Sequence, residues 1–442
     1  MARLVQEHMF GATPVRTGRE TNKVDCSDGR VHNWYRFVLS FPPHLVRDYL
    51  RRFNLDHKST VLDPFCGTGT TLVEARLNRV MSIGVEVNPI ACLATKVKLD
   101  WRVNADEMKE NSERVAGAAL RSIRASGIDD SVLHSKPPAH CRLRTLPEEQ
   151  MKLLIKNSIS PVPLHKVLIL REAMERHSES YLLDHYRIAL AKALVCGIGN
   201  LRFGPEVGLG KVKADVPVVS TWLAEVRTMA RDLASLSGSR HARTKVLCCD
   251  SRNLSSVIPP TTIDAVITSP PYPNEKDYTR TTRLESVVLG LISSNDELRG
   301  MKKDLIRSNT RGVYKGDDDD LLINGNERIE QITTEIERRR ISLGKTSGFE
   351  RLYPRVTKLY FGGMKRHLAD LRTVLRPGAK LAYVVGDQAS YLQVMIRTGE
   401  FLAEIATGLG YKVEAIELFR MRAATASKSE LREEILILTW PG

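Results

Sequence analysis

Thr60-Val61-Leu62-Asp63-Pro64-Phe65-Cys66-Gly67-Thr68-Gly69-Thr70-Thr71 combines a short β-branched run, a glycine-rich turn and the start of a helical pattern. Thr60-Val61-Leu62 reads as a buried strand, and Thr70 to Asn78 as the helix that follows it. Glycine lets backbone approach a ligand closely, and the free N–H groups at a helix start favour an anionic group. A dinucleotide fold would place a third glycine three residues on, where this chain has Leu72. The carboxylate of Asp63, ahead of the turn, suits an ammonium group, which a nicotinamide cofactor lacks.

Outward from this unit, Met81-Ser82-Ile83-Gly84-Val85 reads as a second strand, running into Glu86-Val87-Asn88. Pro89 to Leu99 follows as a helix with proline in its first turn. An acidic residue at a strand tip can accept from both hydroxyls of a nucleoside ribose. The alternative is a carboxylate that caps the next helix, and the glycine turn ahead of Glu86 favours ribose. Further strands are read at Lys245–Cys249, Ile263–Ile267, Lys380–Val385, Tyr411 to Phe419 and Glu434–Leu438, with a helix over Gln393 to Leu409. Strands alternating with helices imply a mostly parallel sheet covered on both faces. The last two strands have no helix between them and are expected to form an antiparallel hairpin at one edge.

Two stretches interrupt this pattern. Trp101 to Thr244 reads almost entirely as helix and loop, with amphipathic helices over Glu179 to Leu194 and Thr221 to Leu236. Leu291 to Tyr353 is polar and charged and includes Arg338-Arg339-Arg340. Both are expected to be insertions in one sheet domain. The chain then divides into sheet segments 1–100, 245–290 and 354–442 and insertions 101–244 and 291–353. Within the second insertion, the run Asp317 to Asp320 is expected to be a solvated loop. Ligands for a hard cation need convergent oxygens, and adjacent side chains diverge.

The 442 residues are 42% hydrophobic, enough for a sizeable core, and Lys plus Arg exceed Asp plus Glu by 66 to 52. The resulting charge of +14 favours a polyanionic partner, because each cation placed on a phosphate releases condensed counterions. A merely basic enzyme would carry the same excess. The seven cysteines are odd in number and contain no C-x-x-C pair, so reduced thiols are expected rather than disulfides or a zinc knuckle. No run of eighteen apolar residues predicts a membrane helix. Glu7 and His8 stand where a signal peptide needs apolar residues, which predicts an intracellular protein.

A second motif carries the chemistry: Ile267-Thr268-Ser269-Pro270-Pro271-Tyr272, directly after a buried strand, where ligand sites lie in open α/β sheets. Two consecutive prolines fix φ and remove both N–H groups, so this backbone can only accept hydrogen bonds. An exocyclic amino group donates two protons, and Ser269 Oγ and the Pro270 carbonyl are acceptors of the right type. Tyr272 offers a flat face to an extruded base. Read alone, the stretch is a Pro-Pro turn after a strand. Other apparent motifs fail. Gly344-Lys345-Thr346 lacks the upstream glycine of a phosphate loop, having Arg339 there. There is no H-E-x-x-H and no zinc-deaminase signature. No Pro-Cys dipeptide exists for covalent thiolate attack on cytosine C5, and Cys66 reads as a packing residue.

With these residues in hand, the chain resembles the amino-group DNA methyltransferases, which modify N4 of cytosine or N6 of adenine. Asp63 to Thr70 resembles their cofactor loop, and Ser269-Pro270-Pro271-Tyr272 their catalytic tetrapeptide. Asn33-Trp34-Tyr35 with Phe41-Pro42-Pro43-His44-Leu45 resembles the helix that closes over the methionine end of the cofactor. Leu247-Cys248-Cys249-Asp250-Ser251-Arg252 resembles the third-strand segment whose Asp meets the adenine amino group, and Leu375-Arg376-Pro377-Gly378 the turn before the fifth strand. The resemblance covers the sheet segments, about half the chain.

What it implies is a class I methyltransferase (Rossmann-like) α/β fold, a seven-stranded mostly parallel sheet with an antiparallel C-terminal hairpin and helical insertions. S-adenosylmethionine would be held by Tyr35, Phe41, Pro42, Asp63, Phe65, Gly67, Gly69, Thr70, Thr71, Glu86, Asn88, Asp250 and Ser251. Ser269, Pro270, Pro271 and Tyr272 would act on a base flipped out of double-stranded DNA, with no metal. Trp101 to Thr244 would read the DNA sequence, with Leu291 to Tyr353 as the rival. Serine at the first tetrapeptide position is typical of the cytosine-N4 enzymes, whereas adenine enzymes usually carry Asp or Asn there. An N6-adenine enzyme, an RNA guanine-amino methyltransferase and a catalytically silent S-adenosylmethionine-binding scaffold stay open. A cognate restriction endonuclease, a cytoplasmic, nucleoid-associated location in a bacterium or archaeon, and no membrane attachment complete the expectations.

Overall fold

A computed structural model describes residues 26–36, 40–131, 142–203, 207–236, 238, 241–274, 276–423 and 430–442. Glu7 and His8, on which the reading of no signal peptide rests, and Cys141 lie outside the described residues.

The opening unit forms as its residues predict. β1 (Thr60–Asp63) is buried on both faces at Val61 and Leu62, as a strand inside a parallel sheet must be. The chain turns through Gly67 and Gly69, whose φ values of 52° and 85° lie in the left-handed region that favours glycine. It then enters the helix Thr70–Leu77. β2 (Met81–Val85) leads to the helix Pro89–Leu99, which Asn88 caps by accepting from the Ile90 N–H at 3.3 Å.

The remaining strands are the small pair β3 (Leu201–Phe203) and β4 (Val207–Leu209), then β5 (Thr244–Leu247), β6 (Ile263–Thr268), β7 (Leu375–Gly386), β8 (Lys412–Ala423) and β9 (Glu430–Thr439). The seven-stranded sheet has the order β5-β2-β1-β6-β7-β9-β8. Its first five strands are parallel, and β9 runs antiparallel between β7 and the edge strand β8. This is the class I methyltransferase arrangement, with the antiparallel hairpin at the expected edge.

The period-two alternation of strand side chains sorts the core into layers. Val61, Ala265, Ile267, Ala382, Val384 and Ile435 pack with the helix Pro43–Arg52 and with Ala75. Leu62, Val266, Leu381, Tyr383 and Leu436 pack on the opposite face with the helices Tyr353–Leu371 and Thr398–Gly408. The helices Ala105–Ala125, Pro161–His177, Ser180–Ala193 and Val219–Leu236 form a further apolar cluster with Leu72, Ile90 and Val97.

Four expectations are corrected. First, the helix read over Gln393 to Leu409 begins only at Thr398. Leu392 and Gln393 have φ of 56° and 62°, and Gln388 bridges Ile396, so the preceding residues form a tight loop. Second, Trp101 to Thr244 contains the β3–β4 hairpin as well as helices. Third, Cys92 and Cys248 are disulfide-bonded, because packing of the helix Pro89–Leu99 on β5 brings their Cα atoms to 6.2 Å. Their separation of 156 residues hid the pair in sequence. Fourth, Asp317 to Asp320 is not a solvated loop. Asp319 is buried and paired with Arg252 at 2.6 Å and Arg366 at 2.8 Å. Asp317 pairs with Arg307 at 2.8 Å, and Asp318 with Arg366 at 3.0 Å. Among the described residues, no helix is long and apolar enough to cross a membrane.

Candidate active site

The glycine turn, the tip of β2 and the tetrapeptide after β6 meet at the carboxyl ends of the parallel strands. They line one cavity of about 350 Å³, within the range of small-molecule sites. Phe41, Phe65, Gly67, Thr70, Glu86, Asn88 and Ser251 line it, as do Ser269, Pro270, Pro271 and Tyr272.

Asp63 lies just beneath this wall, 1% exposed. Its Oδ1 accepts from the Thr268 hydroxyl at 2.6 Å and the Phe65 N–H at 3.1 Å, while its Oδ2 has no hydrogen-bond partner. Burial pushes its pKa up to about 6, against the pull of the Thr268 hydroxyl. Glu86 accepts from the Gly67 N–H at 2.9 Å and the Asn88 N–H at 2.7 Å, and burial raises its pKa to about 7. The site therefore presents a buried acidic oxygen without a partner beside a carboxylate with further lone pairs. Those acceptors fit a ligand carrying an ammonium and a diol.

Ser269 Oγ donates to the Val384 carbonyl at 3.1 Å. A hydroxyl has one proton, so both oxygen lone pairs stay available to accept. Tyr272 OH donates to Glu433 Oε1 at 3.0 Å, and Glu433 also accepts from Arg420 Nε. Burial, and then the Glu433 charge, hold the Tyr272 phenol well above the ordinary tyrosine range.

Several predicted residues stand elsewhere. Tyr35 is buried and donates to Glu285, while its neighbour Trp34 donates to Asp232 at 2.8 Å, so this segment fastens to the helices and not to the cavity wall. Pro42 caps the helix Pro43–Arg52. Gly69 and Thr71 act inside the loop. A methyl on Gly69 would lie 2.7 Å from Thr95 Cγ2, and Thr71 Oγ1 donates to the Ile267 carbonyl at 3.2 Å. Asp250 does not line the cavity, because Arg252 takes its carboxylate at 2.6 Å. Cys66, within the loop, packs in the core and also lines the cavity.

Residues not singled out in sequence also reach the cavity: Phe203 and Val207 from the small hairpin, Asp304 to Ile306 and Arg311 from the second insertion, and Arg280, Arg420, Arg422 and Glu433. Arg420 and Arg422 are two apart on a strand, and that spacing places both on one face. Only the partner strand shows that this face meets the tetrapeptide. Among the described residues, no cluster of three or more His, Cys, Asp or Glu is placed to hold a metal ion.

The sheet has the strand order of the class I methyltransferase fold, with the cavity at the carboxyl ends of its parallel strands. Residues 15–97 match the family model described as DNA methylase, for N6 and N4 enzymes. The type II methyltransferase M.BsoBI of Geobacillus stearothermophilus is 27% identical over 429 residues, covering 90% of this chain and 82% of its own. The type II methyltransferase M.AvaI of Anabaena variabilis is 21% identical over 409 residues, covering 87% and 80%. The type II methyltransferase M.MjaII of Methanocaldococcus jannaschii is 40% identical over 70 residues, 16% of this chain and 13% of its own. The chain is thus similar to type II methyltransferases along most of its length, and to the N6/N4 DNA methylase model over the segment that holds the glycine turn.

Proposed function

We propose that this protein transfers a methyl group from S-adenosylmethionine to N4 of cytosine in double-stranded DNA, as the modification partner of a type II restriction endonuclease. The observation that carries the reading is Ser269. Its proton is committed to Val384, so the hydroxyl can accept from an amine in a cavity that Glu86 also lines and beneath whose wall Asp63 lies. The names of the full-length relatives support the type II role.

S-adenosylmethionine, when bound, supplies an electrophilic methyl on a sulfonium. Asp63 would take its ammonium and Glu86 its ribose hydroxyls, with Phe41, Phe65, Gly67, Thr70, Asn88 and Ser251 around them. Ser269 and the Pro270 carbonyl would accept from the target amine and aim its lone pair along the line of transfer. Extruding the base costs a few kcal/mol, offset by its stacking on Tyr272 and these hydrogen bonds. Positioning and electrostatics then carry the rate, without a covalent enzyme intermediate. Double-stranded DNA is the partner that a +14 chain with Arg280, Arg311, Arg420 and Arg422 at the cavity suits. A cytoplasmic, nucleoid-associated location follows from that partner.

The test uses S-adenosylmethionine carrying a deuterated methyl, with duplex DNA and RNA offered separately, and identifies labelled nucleosides by mass spectrometry. N4-methylcytosine from DNA is expected. Labelled N6-methyladenine alone would overturn the cytosine assignment, and label confined to RNA guanine would overturn the DNA reading. No label in any nucleic acid would leave a binding scaffold.

A further inference from the structure

Pro270 and Pro271 fix the backbone of the tetrapeptide, but proline does nothing to hold the χ angles of the tyrosine that follows. The orientation of Tyr272 is set from the C-terminal hairpin. Glu433 sits on β9, with its backbone paired to Gly386 of β7 on one side and Arg420 of β8 on the other. It is 7% exposed, and it joins the Tyr272 hydroxyl to the Arg420 guanidinium. Gly386 lies against the ring edge, where an added methyl would stand 3.0 Å from Tyr272 Cε2. The Arg422 guanidinium lies 5.8 Å from the ring centroid, and its Nη2 donates to the Asp387 carbonyl at 3.2 Å. Tyr272 OH stands 3.5 Å from Ser269 Oγ.

We propose that Glu433 is a positioning residue: clamped by Arg420, it holds the Tyr272 hydroxyl, and through it the ring, in the orientation that receives the target base beside Ser269. This rests on reading the cavity as the seat of an extruded base. The elevated phenol pKa accords with it, since the hydroxyl stays a donor at all working pH values. Reacting groups must meet in near-attack geometry, and a displacement of about 1 Å can lower a rate roughly a hundredfold. A glutamate that merely satisfied Arg420 within the hairpin would contribute to stability and leave transfer by the folded enzyme unchanged.

The test compares Glu433→Ala, Glu433→Gln, Tyr272→Phe and the Glu433→Ala/Tyr272→Phe double variant in the full chain. Turnover and the KM for S-adenosylmethionine are measured, together with the fluorine NMR signal of 3-fluorotyrosine at position 272 in the substrate-free protein. Glu433→Ala and Tyr272→Phe should each lower kcat about tenfold to a hundredfold with little change in cofactor KM. The double variant should be no worse than the weaker single. Glu433→Gln, which keeps an acceptor for the hydroxyl, should restore most of the rate. The fluorine signal should be one narrow line in the parent and the Gln variant, and split or broadened in the Ala variant. An unchanged line with unchanged kcat in Glu433→Ala, or losses that multiply in the double variant, would overturn the proposal. If the parent methylates no nucleic acid, the base-seat reading fails, and the fluorine lines still decide whether Glu433 holds the ring. If Glu433→Ala does not fold, the kcat of Tyr272→Phe and Glu433→Gln and the Gln line decide the matter. Parent-like turnover in Tyr272→Phe then counts against it.

Discussion

Asp63, Glu86 and Glu285 are carboxyls that burial raises to about 6, 7 and 7. Each folded value lies above the unfolded one, so their contribution to the stability of the cofactor-free protein is complete only below about pH 4. It is lost as pH rises through 6 to 7. Cofactor binding should run the other way for Asp63 and Glu86, since an ammonium and ribose donors favour the ionised forms. Calorimetric affinity for S-adenosylmethionine is therefore expected to increase from pH 5.5 to 8 and then level off, and a flat profile would remove both groups from the site. Glu86→Ala should weaken that affinity by about 1.5–3 kcal/mol, because charged acceptors for two hydroxyls are lost. Unchanged affinity in a folded variant would contradict the ribose assignment. These two acids were legible in sequence because each sits at a strand end beside a glycine or proline turn. Asp250, which the resemblance assigns to the cofactor's adenine amino group, is paired in the structure with Arg252, two residues on. Glu433 was invisible because its role depends on strand register.

The elements that read most plainly were those whose stop signals are local. β1, its glycine turn and the helix Pro89–Leu99 came out within a residue or so of their observed bounds. The helix expected from Gln393 starts only at Thr398, because the apolar periodic stretch carried no sign that Leu392 and Gln393 at its entry take positive φ. The Asp317–Asp320 segment failed for another reason: its four charges looked solvated until the fold supplied Arg252, Arg307, Arg355 and Arg366 around them. That segment lies on the helix Tyr353–Leu371 at Gly362, where an added methyl would be 1.8 Å from the Asp319 carbonyl oxygen. The obstruction is backbone and cannot rotate away. Gly362→Ala is expected to lower stability by about 1–3 kcal/mol, seen as a lower melting temperature. A variant that melts with the parent would show that the segment can yield there.

At the scale of the whole molecule, both insertions reach the cavity, one through Phe203 and Val207 and the other through Asp304 to Ile306 and Arg311. In the sequence the two stay rivals, because nothing local tells which of them returns to the strand ends. With a +14 chain and arginines at the cavity, affinity for DNA should fall steeply as salt rises from about 50 to 200 mM. A shallow dependence would argue against a phosphate-tracking surface. Exchanging residues 101–244 for the matching part of a relative should change the sequence methylated, and an active hybrid with the original specificity would transfer recognition to 291–353. The central claim, that the tetrapeptide accepts the target amine in a cavity shared with the cofactor, is tested most directly by single-turnover methyl transfer in Ser269→Ala. With enzyme saturated in S-adenosylmethionine and DNA, the account predicts a rate about tenfold to a hundredfold below the parent and an unchanged cofactor affinity. A parent-like rate, or a loss accounted for wholly by weaker cofactor binding, would contradict it.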